Sequence, residues 1–152
     1  MITLHPMTQA EYEAFLQISY DSYADDLMGA EKGITREAAI EEAKSEVKEL
    51  LPEGLDTKNH FLLAIRDENG TQAGYLWYDV MGLSKAFIDD LLIFPPFRRK
   101  GYALQALKLL EESVQVPHIT LHVFENNEAA RRLYEKAGFV HDNERTYCLE
   151  LN

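Results

Sequence analysis

The chain has little of what several protein classes depend on. Its 152 residues include one cysteine, Cys148, which excludes an internal disulfide and a zinc site built on cysteine pairs. No uninterrupted apolar run approaches the roughly 18 residues that a membrane-spanning helix needs. The start, MITLHPMTQ, lacks the basic and apolar segments of a signal peptide. These absences argue against a secreted disulfide scaffold and predict a cytoplasmic protein with no membrane partner.

Positive charge is also scarce, and it is unevenly placed. The net charge is −11; residues 1–84 carry 16 acidic side chains against 6 Lys and Arg, whereas residues 85–152 carry 10 against 9. An acidic surface repels phosphate backbones, so nucleic acid is not expected as a partner. The same field attracts a cation such as an amine. The alternative is that the acidic surface serves only solubility.

The chain shows no repeats or linkers, and its length predicts a single domain covering residues 1–152. Helical spacing predicts two helices near the N terminus, the first opened by a Thr8–Glu11 capping box and the second capped by Thr35. A loop is expected from Asp25 to Gly33 between them. Asp67 to Gly70 is a hairpin signal between two later strands.

The remaining segments complete a mixed architecture. The predicted order is β-αα-βββ-α-β-α-ββ, an α/β or α+β fold in which helices cover a mostly antiparallel sheet. Gly138 is expected just after the end of the last helix. The predicted strands are Ile2–Leu4, His60–Ile65, Ala73–Met81, Ala86–Ile93, His118–Phe124, Phe139–His141 and Thr146–Leu151, and the later helices are 102–115 and Asn127–Ala137.

A cationic turn, PPFRRKG at residues 95–101, lies between the strand that ends at Ile93 and the helix that begins near Tyr102. The first turn of a helix has unpaired N–H groups and a partial positive charge, which together favour an anion. Gly101 leaves the backbone open to a bulky anion, and Arg98 can bind phosphate through two hydrogen bonds. The turn therefore fits a diphosphate. On these residues alone, a solvated basic turn is the alternative.

Two motifs resemble those of the GNAT family of N-acetyltransferases. Arg98-x-x-Gly101-x-Ala103 resembles the family's [RQ]-x-x-G-x-[GA] signature, and NEAARRLYEKAGF at Asn127–Phe139 resembles its second block. Both blocks stand in the family's order and spacing. The resemblance implies the GNAT fold, acetyl-CoA as the cofactor, and transfer of the acetyl group to a primary amine by direct attack in a ternary complex. A catalytically silent acyl-CoA-binding sensor or partner-binding module of the same fold is the alternative.

The resemblance also implies where the cofactor binds. In the family, the strand corresponding to Ala86–Ile93 splays from the one corresponding to His118–Phe124, and the pantetheine arm enters the gap and pairs with main-chain groups. The pyrophosphate rests on the amides that follow the cationic turn. The residues expected to bind the cofactor are Leu91, Leu92, Ile93, Arg98, Arg99, Lys100, Gly101, Tyr102, Ala103, Leu104, Gln105, Asn127 and Tyr134.

A general base is needed because an alkyl amine, with a pKa of about 10, must lose a proton before it attacks a thioester. Asp89 and Asp90 are both candidates, since many family members place a base on this strand. Because side chains alternate along a strand, the two are expected on opposite faces, with Asp89 on the face of Leu91 and Ile93. This placement favours Asp89 as the base. A salt bridge or a strand-end hydrogen bond is the alternative role.

Tyr134 is the predicted general acid for the leaving thiolate, although an aromatic residue on an amphipathic helix also suits a core. A main-chain N–H near Leu92 or Ile93 is expected to stabilise the oxyanion. Asn127 has the simpler interpretation of a helix N-cap.

Metal and covalent chemistry are not predicted. His118 and His122 share a strand face, but no third ligand is evident in the sequence. Cys148 has no His or Asp partner that the sequence identifies, which disfavours an acetyl-cysteine mechanism.

The acceptor is expected to bind among aromatic and acidic residues, because aromatic faces and carboxylates both attract ammonium groups. The sequence leaves open a small amine, a polyamine, an antibiotic or a protein amine, and it leaves open a monomer or a homodimer. The candidate acceptor residues are Tyr20, Tyr23, Asp25, Asp26, Trp77 and Tyr78.

Overall fold

The computed structural model of the chain describes residues 1–123, 127–141 and 146–151. Its elements follow the predicted order and form a mixed α/β fold, which confirms the predicted fold class. The predicted end of one strand, Phe124, lies outside the described residues. The strands are β1 (Thr3–Pro6), β2 (His60–Arg66), β3 (Gln72–Met81), β4 (Lys85–Ile93), β5 (His118–His122), β6 (Val140–His141) and β7 (Thr146–Glu150); the helices are α1 (Gln9–Ala30), α2 (Arg36–Leu50), α3 (Tyr102–Ser113) and α4 (Glu128–Lys136).

The seven strands form one sheet in the order β1-β2-β3-β4-β5-β7-β6. The pairs β1–β2, β3–β4, β5–β7 and β6–β7 are antiparallel, whereas β4 and β5 are parallel. Asp67 starts the predicted hairpin between β2 and β3, and its carboxylate accepts hydrogen bonds from the N–H groups of Asn69 and Thr71. The mostly antiparallel sheet is the one that the sequence predicts.

The hydrophobic core of this sheet is formed with α3 and α4. Period-two alternation directs Ile119 and Leu121 of β5 into it, and helical spacing adds Leu107 and Leu110 of α3. Phe139, just after α4, is also buried there. Gly138 follows α4 at a φ of 100°, so it is the predicted residue in left-handed conformation at the helix end.

The parallel pair separates part-way along its length. Lys85 to Phe87 of β4 pair with His118 to Thr120 of β5. β4 continues to Ile93, and in the described residues its pairing with β5 goes no further than Phe87. Because main-chain groups of a strand need partners, the separated half of β4 offers N–H and C=O groups to a ligand.

Residues 7–60 form a separate compact unit that contains α1 and α2, which pack against each other. The Thr8–Glu11 capping box is present, as predicted, and Thr35 caps α2 by accepting the N–H of Ala38. The predicted loop from Asp25 is wrong, because α1 continues to Ala30. One glycine inside a helix costs only about 1 kcal/mol relative to alanine, so Gly29 does not end it.

None of the described helices is both long enough and apolar enough to cross a membrane.

Candidate active site

A cavity of about 510 Å³ lies beside the separated half of β4. Its walls come from three elements: the end of β4, the turn and first residues of α3, and one side of α4. The lining includes nine residues predicted to bind the cofactor, namely Leu91, Leu92, Ile93, Arg98, Arg99, Gly101, Tyr102, Ala103 and Leu104. It also includes five that the sequence analysis missed, Phe97, Ala129, Ala130, Leu133 and Lys136.

The α3 end of the cavity suits an anion. Gly101 is the N-cap of α3 at a φ of 77°, and a Cβ built on it would meet no other residue within 4 Å. The helix N–H groups behind it are therefore open to a ligand. Three cations, Arg98, Arg99 and Lys136, line the cavity, and no carboxylate does so among the described residues. In a chain of net charge −11 this local excess of positive charge fits a diphosphate.

The end of β4 directs main-chain groups towards the gap. In an antiparallel pair, successive residues face the partner strand alternately. Because the N–H of Phe94 donates to the carbonyl of Ala73 in β3, Ile93 faces the opposite way, towards the gap. The Ile93 carbonyl accepts a hydrogen bond of 2.9 Å from Nε of Arg98, which fixes that side chain at the cavity. Of the two positions expected for an oxyanion donor, Ile93 rather than Leu92 faces the gap.

Four residues predicted to bind the cofactor do not line this cavity: Lys100, Gln105, Asn127 and Tyr134. The side-chain oxygen of Gln105 accepts the N–H of Ile2 at 3.1 Å. Asn127 is the N-cap of α4 and accepts the N–H of Ala130 at 3.2 Å, which is its simpler predicted role.

A β-bulge lies at the two aspartates. Trp77 of β3 stands opposite Asp90, and the next residue, Tyr78, stands opposite Ile88, so Asp89 is the extra residue of β4. The bulge reverses the alternation of side chains that follows it. The expectation that Asp89 and Asp90 lie on opposite faces, with Asp89 beside Leu91, is therefore wrong. Both carboxyls lie on the face of β3 that carries Tyr75, Trp77 and Asp79.

The two carboxyls have different partners on that face. Oδ2 of Asp90 accepts a hydrogen bond of 2.7 Å from the hydroxyl of Tyr75. The carboxyl of Asp89 is hydrogen-bonded to that of Asp79, which is 9% exposed. Oδ2 of Asp89 is buried and has no hydrogen-bond partner among the described residues. A carboxyl–carboxyl hydrogen bond requires a proton. Burial, the bond to Asp79 and the charges of Asp79 and Asp90 raise the pKa of Asp89 to about 9.

Tyr134 is buried in the core beside Phe139, with ring centroids 5.6 Å apart. Burial raises the pKa of its phenol well above 10, and the negative charge of Asp90 raises it further. The phenol is therefore protonated at any working pH, and it lies within electrostatic range of Asp90.

The candidate acceptor residues fall into both compact units. In the sheet unit, Trp77 lies opposite Asp90, whereas Tyr78 belongs to the core and stacks on Phe61 at 4.8 Å. The other four, Tyr20, Tyr23, Asp25 and Asp26, lie on α1. Within that helical unit, Asp25 pairs with Arg36 at 2.7 Å, and Nζ of Lys44 lies 6.0 Å from the ring of Tyr20.

His118, His122 and Cys148 contact side chains of the neighbouring strands β5 and β7. Nδ1 of His122 lies 3.2 Å from the hydroxyl of Thr146, and Nδ1 of His118 lies 3.9 Å from Sγ of Cys148.

Comparison with known proteins agrees with this geometry. The model of the acetyltransferase (GNAT) family matches residues 15–139. The chain belongs to this family. It is therefore an acetyl-CoA-dependent N-acetyltransferase, which confirms the predicted enzyme class and cofactor.

Two curated relatives cover nearly the whole chain. The uncharacterized N-acetyltransferase YycN of Bacillus subtilis is 34% identical over 144 residues, 91% of this chain and 92% of that protein. The uncharacterized N-acetyltransferase YdgE of the same organism is 33% identical over 147 residues, 93% of each chain.

Solved structures share the fold. The crystal structure of YycN has a TM-score of 0.83 at 34% identity and covers 94% of both chains. A spermidine N-acetyltransferase of Vibrio cholerae, solved with CoA and spermine, has a TM-score of 0.72 at 15% identity, covering 98% of this chain and 95% of that one.

Proposed function

We propose that the enzyme moves the acetyl group of acetyl-CoA to a primary amine by direct attack in a ternary complex. The observation that supports this most is the cavity between β4, α3 and α4, which joins a cationic helix N-terminus to the half of β4 that, in the described residues, does not pair with β5. One end suits the charged part of the cofactor, and the other suits its acyl arm. The bulge carboxyls of Asp89 and Asp90 belong to the same strand.

Cofactor binding is assigned to the residues that line the cavity. The N–H groups of Gly101 to Leu104 and the side chains of Arg98 and Arg99 would hold the diphosphate. Ala129 and Ala130 are small, so α4 leaves room for a chain-like ligand along β4. Lys100, Gln105, Asn127 and Tyr134 were also expected at the cofactor, and for these we retain only the catalytic role of Tyr134.

Bound acetyl-CoA supplies an acetyl thioester, whose carbonyl carbon is attacked by the amine nitrogen and whose thiol is the leaving group. A bulge carboxylate, Asp89 or Asp90, accepts the proton that the ammonium must lose. The N–H of Ile93 would donate to the carbonyl oxygen, where negative charge would develop. Tyr134, whose phenol is protonated, would be the proton donor for the thiolate that leaves.

We propose a cationic acceptor. Residues 1–84 carry 16 acidic side chains against 6 cationic ones, and this field raises the local concentration of an ammonium ion. Trp77 lies directly opposite Asp90 and offers an aromatic face beside a carboxylate. Spermidine is the first acceptor to test because an enzyme of the same fold acts on it, although at 15% identity that likeness concerns the fold.

A thiol-release assay tests the proposal. Wild-type enzyme with acetyl-CoA is offered spermidine, other primary amines, and neutral and acidic acceptors, with mass spectrometry of the products. We expect one acetyl group on a primary amine. Acetylation of neutral or acidic acceptors alone would contradict a cationic acceptor. Acetyl-CoA binding without turnover of any acceptor would support a silent binding module instead.

We further propose that residues 1–152 act as one catalytic domain, which the family match across both compact units supports. A cytoplasmic location fits the cofactor and the single cysteine, Cys148. The assembly is expected to be a monomer or a homodimer.

A further inference from the structure

Tyr75 of β3 belongs to neither sequence motif, yet it is bonded to one of the two bulge carboxyls. Its hydroxyl donates to Oδ2 of Asp90 at 2.7 Å. The side chain is 2% exposed, and its ring meets the edge of Phe94 with centroids 6.4 Å apart. A buried ring with defined packing cannot easily rotate, so the direction of its hydroxyl is fixed.

We propose that Tyr75 is a positioning residue that holds Asp90 as the carboxylate that takes the proton from the acceptor amine. This inference rests on the proposed function and chooses between its two candidate bases. The hydroxyl of Tyr75 holds Oδ2 of Asp90, and the N–H of Leu91 also bonds to this carboxyl, so its orientation towards an incoming amine is fixed. The bulge is what makes this possible, since it turns Asp90 to the face of Tyr75.

Asp89 is unsuited to the same role in the resting enzyme. Oδ2 of Asp89 is buried and receives no N–H or O–H hydrogen bond from the described residues. The Asp89 carboxyl is bonded to the carboxyl of Asp79. Two carboxyls form such a bond only with a proton between them. The pair of Asp89 and Asp79 needs a proton for its bond, whereas the carboxyl of Asp90 is bonded to an O–H and an N–H group and needs none, so Asp90 is the available base.

The groups around Asp90 agree with this assignment. Burial raises the pKa of Asp90, and the hydrogen bonds from Tyr75 and from the N–H of Leu91 oppose that rise. The other titratable groups that interact with it are Asp89, beside it on β4, and Tyr134 of α4. A base works best when its pKa lies near the working pH, so partial burial with two hydrogen bonds suits Asp90.

The test compares Tyr75→Phe with Tyr147→Phe, a matched loss of a buried hydroxyl. Tyr147 of β7 is 1% exposed and accepts a hydrogen bond of 3.2 Å from Nε of Arg131. Both proteins and wild type are measured in two ways. Carboxyl ¹³C NMR follows the titration of Asp90, assigned with Asp90→Asn, and the pH profile of kcat/KM is recorded with spermidine and acetyl-CoA.

We expect Tyr75→Phe to raise the NMR pKa of Asp90 and the acidic limb of the profile by about one unit, because a hydrogen bond to a charged group is lost. Tyr147→Phe should move neither. Asp90→Asn should lower kcat at least 100-fold at every pH, whereas its Kd for acetyl-CoA should stay within twofold.

An unchanged Asp90 titration in Tyr75→Phe would overturn the inference, whatever the turnover. The inference would also be overturned if the Asp90→Asn enzyme kept more than a tenth of the wild-type kcat while the Asp89→Asn enzyme was inactive. That result would leave the proposed function intact. If the wild-type enzyme acetylated no amine, the proposed function would be overturned, and the role of Asp90 as base would fall with it. This would hold even if NMR showed a raised pKa of Asp90 in Tyr75→Phe.

Discussion

Replacement of Gly101 by glutamate puts a negative charge where the diphosphate is expected to bind. Gly101 caps α3 at a φ of 77° and lines the cavity, and a Cβ added there would meet no protein atom. The side chain would therefore occupy ligand space without displacing the protein. We expect Gly101→Glu to abolish measurable acetyl-CoA binding.

The magnitude follows from the charges. Two unit charges about 4 Å apart repel by about 4 kcal/mol at an effective dielectric constant of about 20, which is roughly a 1,000-fold loss in affinity. Left-handed backbone at a non-glycine residue costs a further 1–2 kcal/mol or so in stability. Gly101→Ala carries that backbone cost without the charge, so it separates strain from repulsion.

Lys108→Glu is the control for charge. Lys108 is exposed on α3, seven residues further along and therefore about 10 Å away, which is close to the screening length at physiological salt. It changes the net charge by two units, more than Gly101→Glu does. Titration calorimetry with acetyl-CoA, together with thermal melts, should show a threefold effect or less for Lys108→Glu. A Kd for Gly101→Glu within threefold of wild type would refute the assignment of the diphosphate site.

Three further changes test other parts of the structure. Tyr134→Phe removes only the proton donor, so it should lower kcat about 10- to 100-fold and leave the Kd for acetyl-CoA unchanged. Steady-state kinetics and calorimetry measure the two values, and an unchanged kcat would exclude the general-acid role. Gly74→Ala should lower the free energy of unfolding, measured in urea, by about 2 kcal/mol, because a Cβ at this position would overlap the carbonyl oxygen of Leu92. Stability equal to that of wild type would contradict this close approach of the two strands. Asp89→Asn should gain stability relative to wild type as pH rises from about 4 to 8, with the difference vanishing towards pH 4, in urea unfolding at several pH values. The folded-state pKa of Asp89 is raised from 3.8 to about 9, so wild type loses stability as pH rises through that window, and asparagine, which cannot ionise, avoids the loss. A pH-independent difference would contradict the protonated pair with Asp79.

Local signals in the sequence predicted most of the fold. The Thr8–Glu11 capping box, the hairpin at Asp67 and the terminal Gly138 each depend on residues a few positions apart, and all three are present. The α1 end was misplaced because one glycine is a weak helix breaker. The cationic turn and Gly101 were predicted at the cavity for the same local reason, since a helix N-terminus carries its own anion site.

The catalytic face could not be predicted in the same way. Alternation along a strand has no signal for an inserted residue, so the bulge at Asp89 was not foreseen. The bond from Tyr75 to Asp90 depends on the register of β3 against β4, which joins residues 15 positions apart. The pairing of Asp79 with Asp89 depends on the same register. Such contacts come from tertiary structure and leave no local pattern.

The most direct measurement of the central claim is the product formed from acetyl-CoA and an amine. Purified wild-type enzyme with acetyl-CoA and spermidine, or another primary amine of the panel, should release CoA thiol and add one acetyl group to a nitrogen, in equal amounts. Gly101→Glu should release none. Thiol release without an acetylated amine, or equal turnover by Gly101→Glu, would contradict the account.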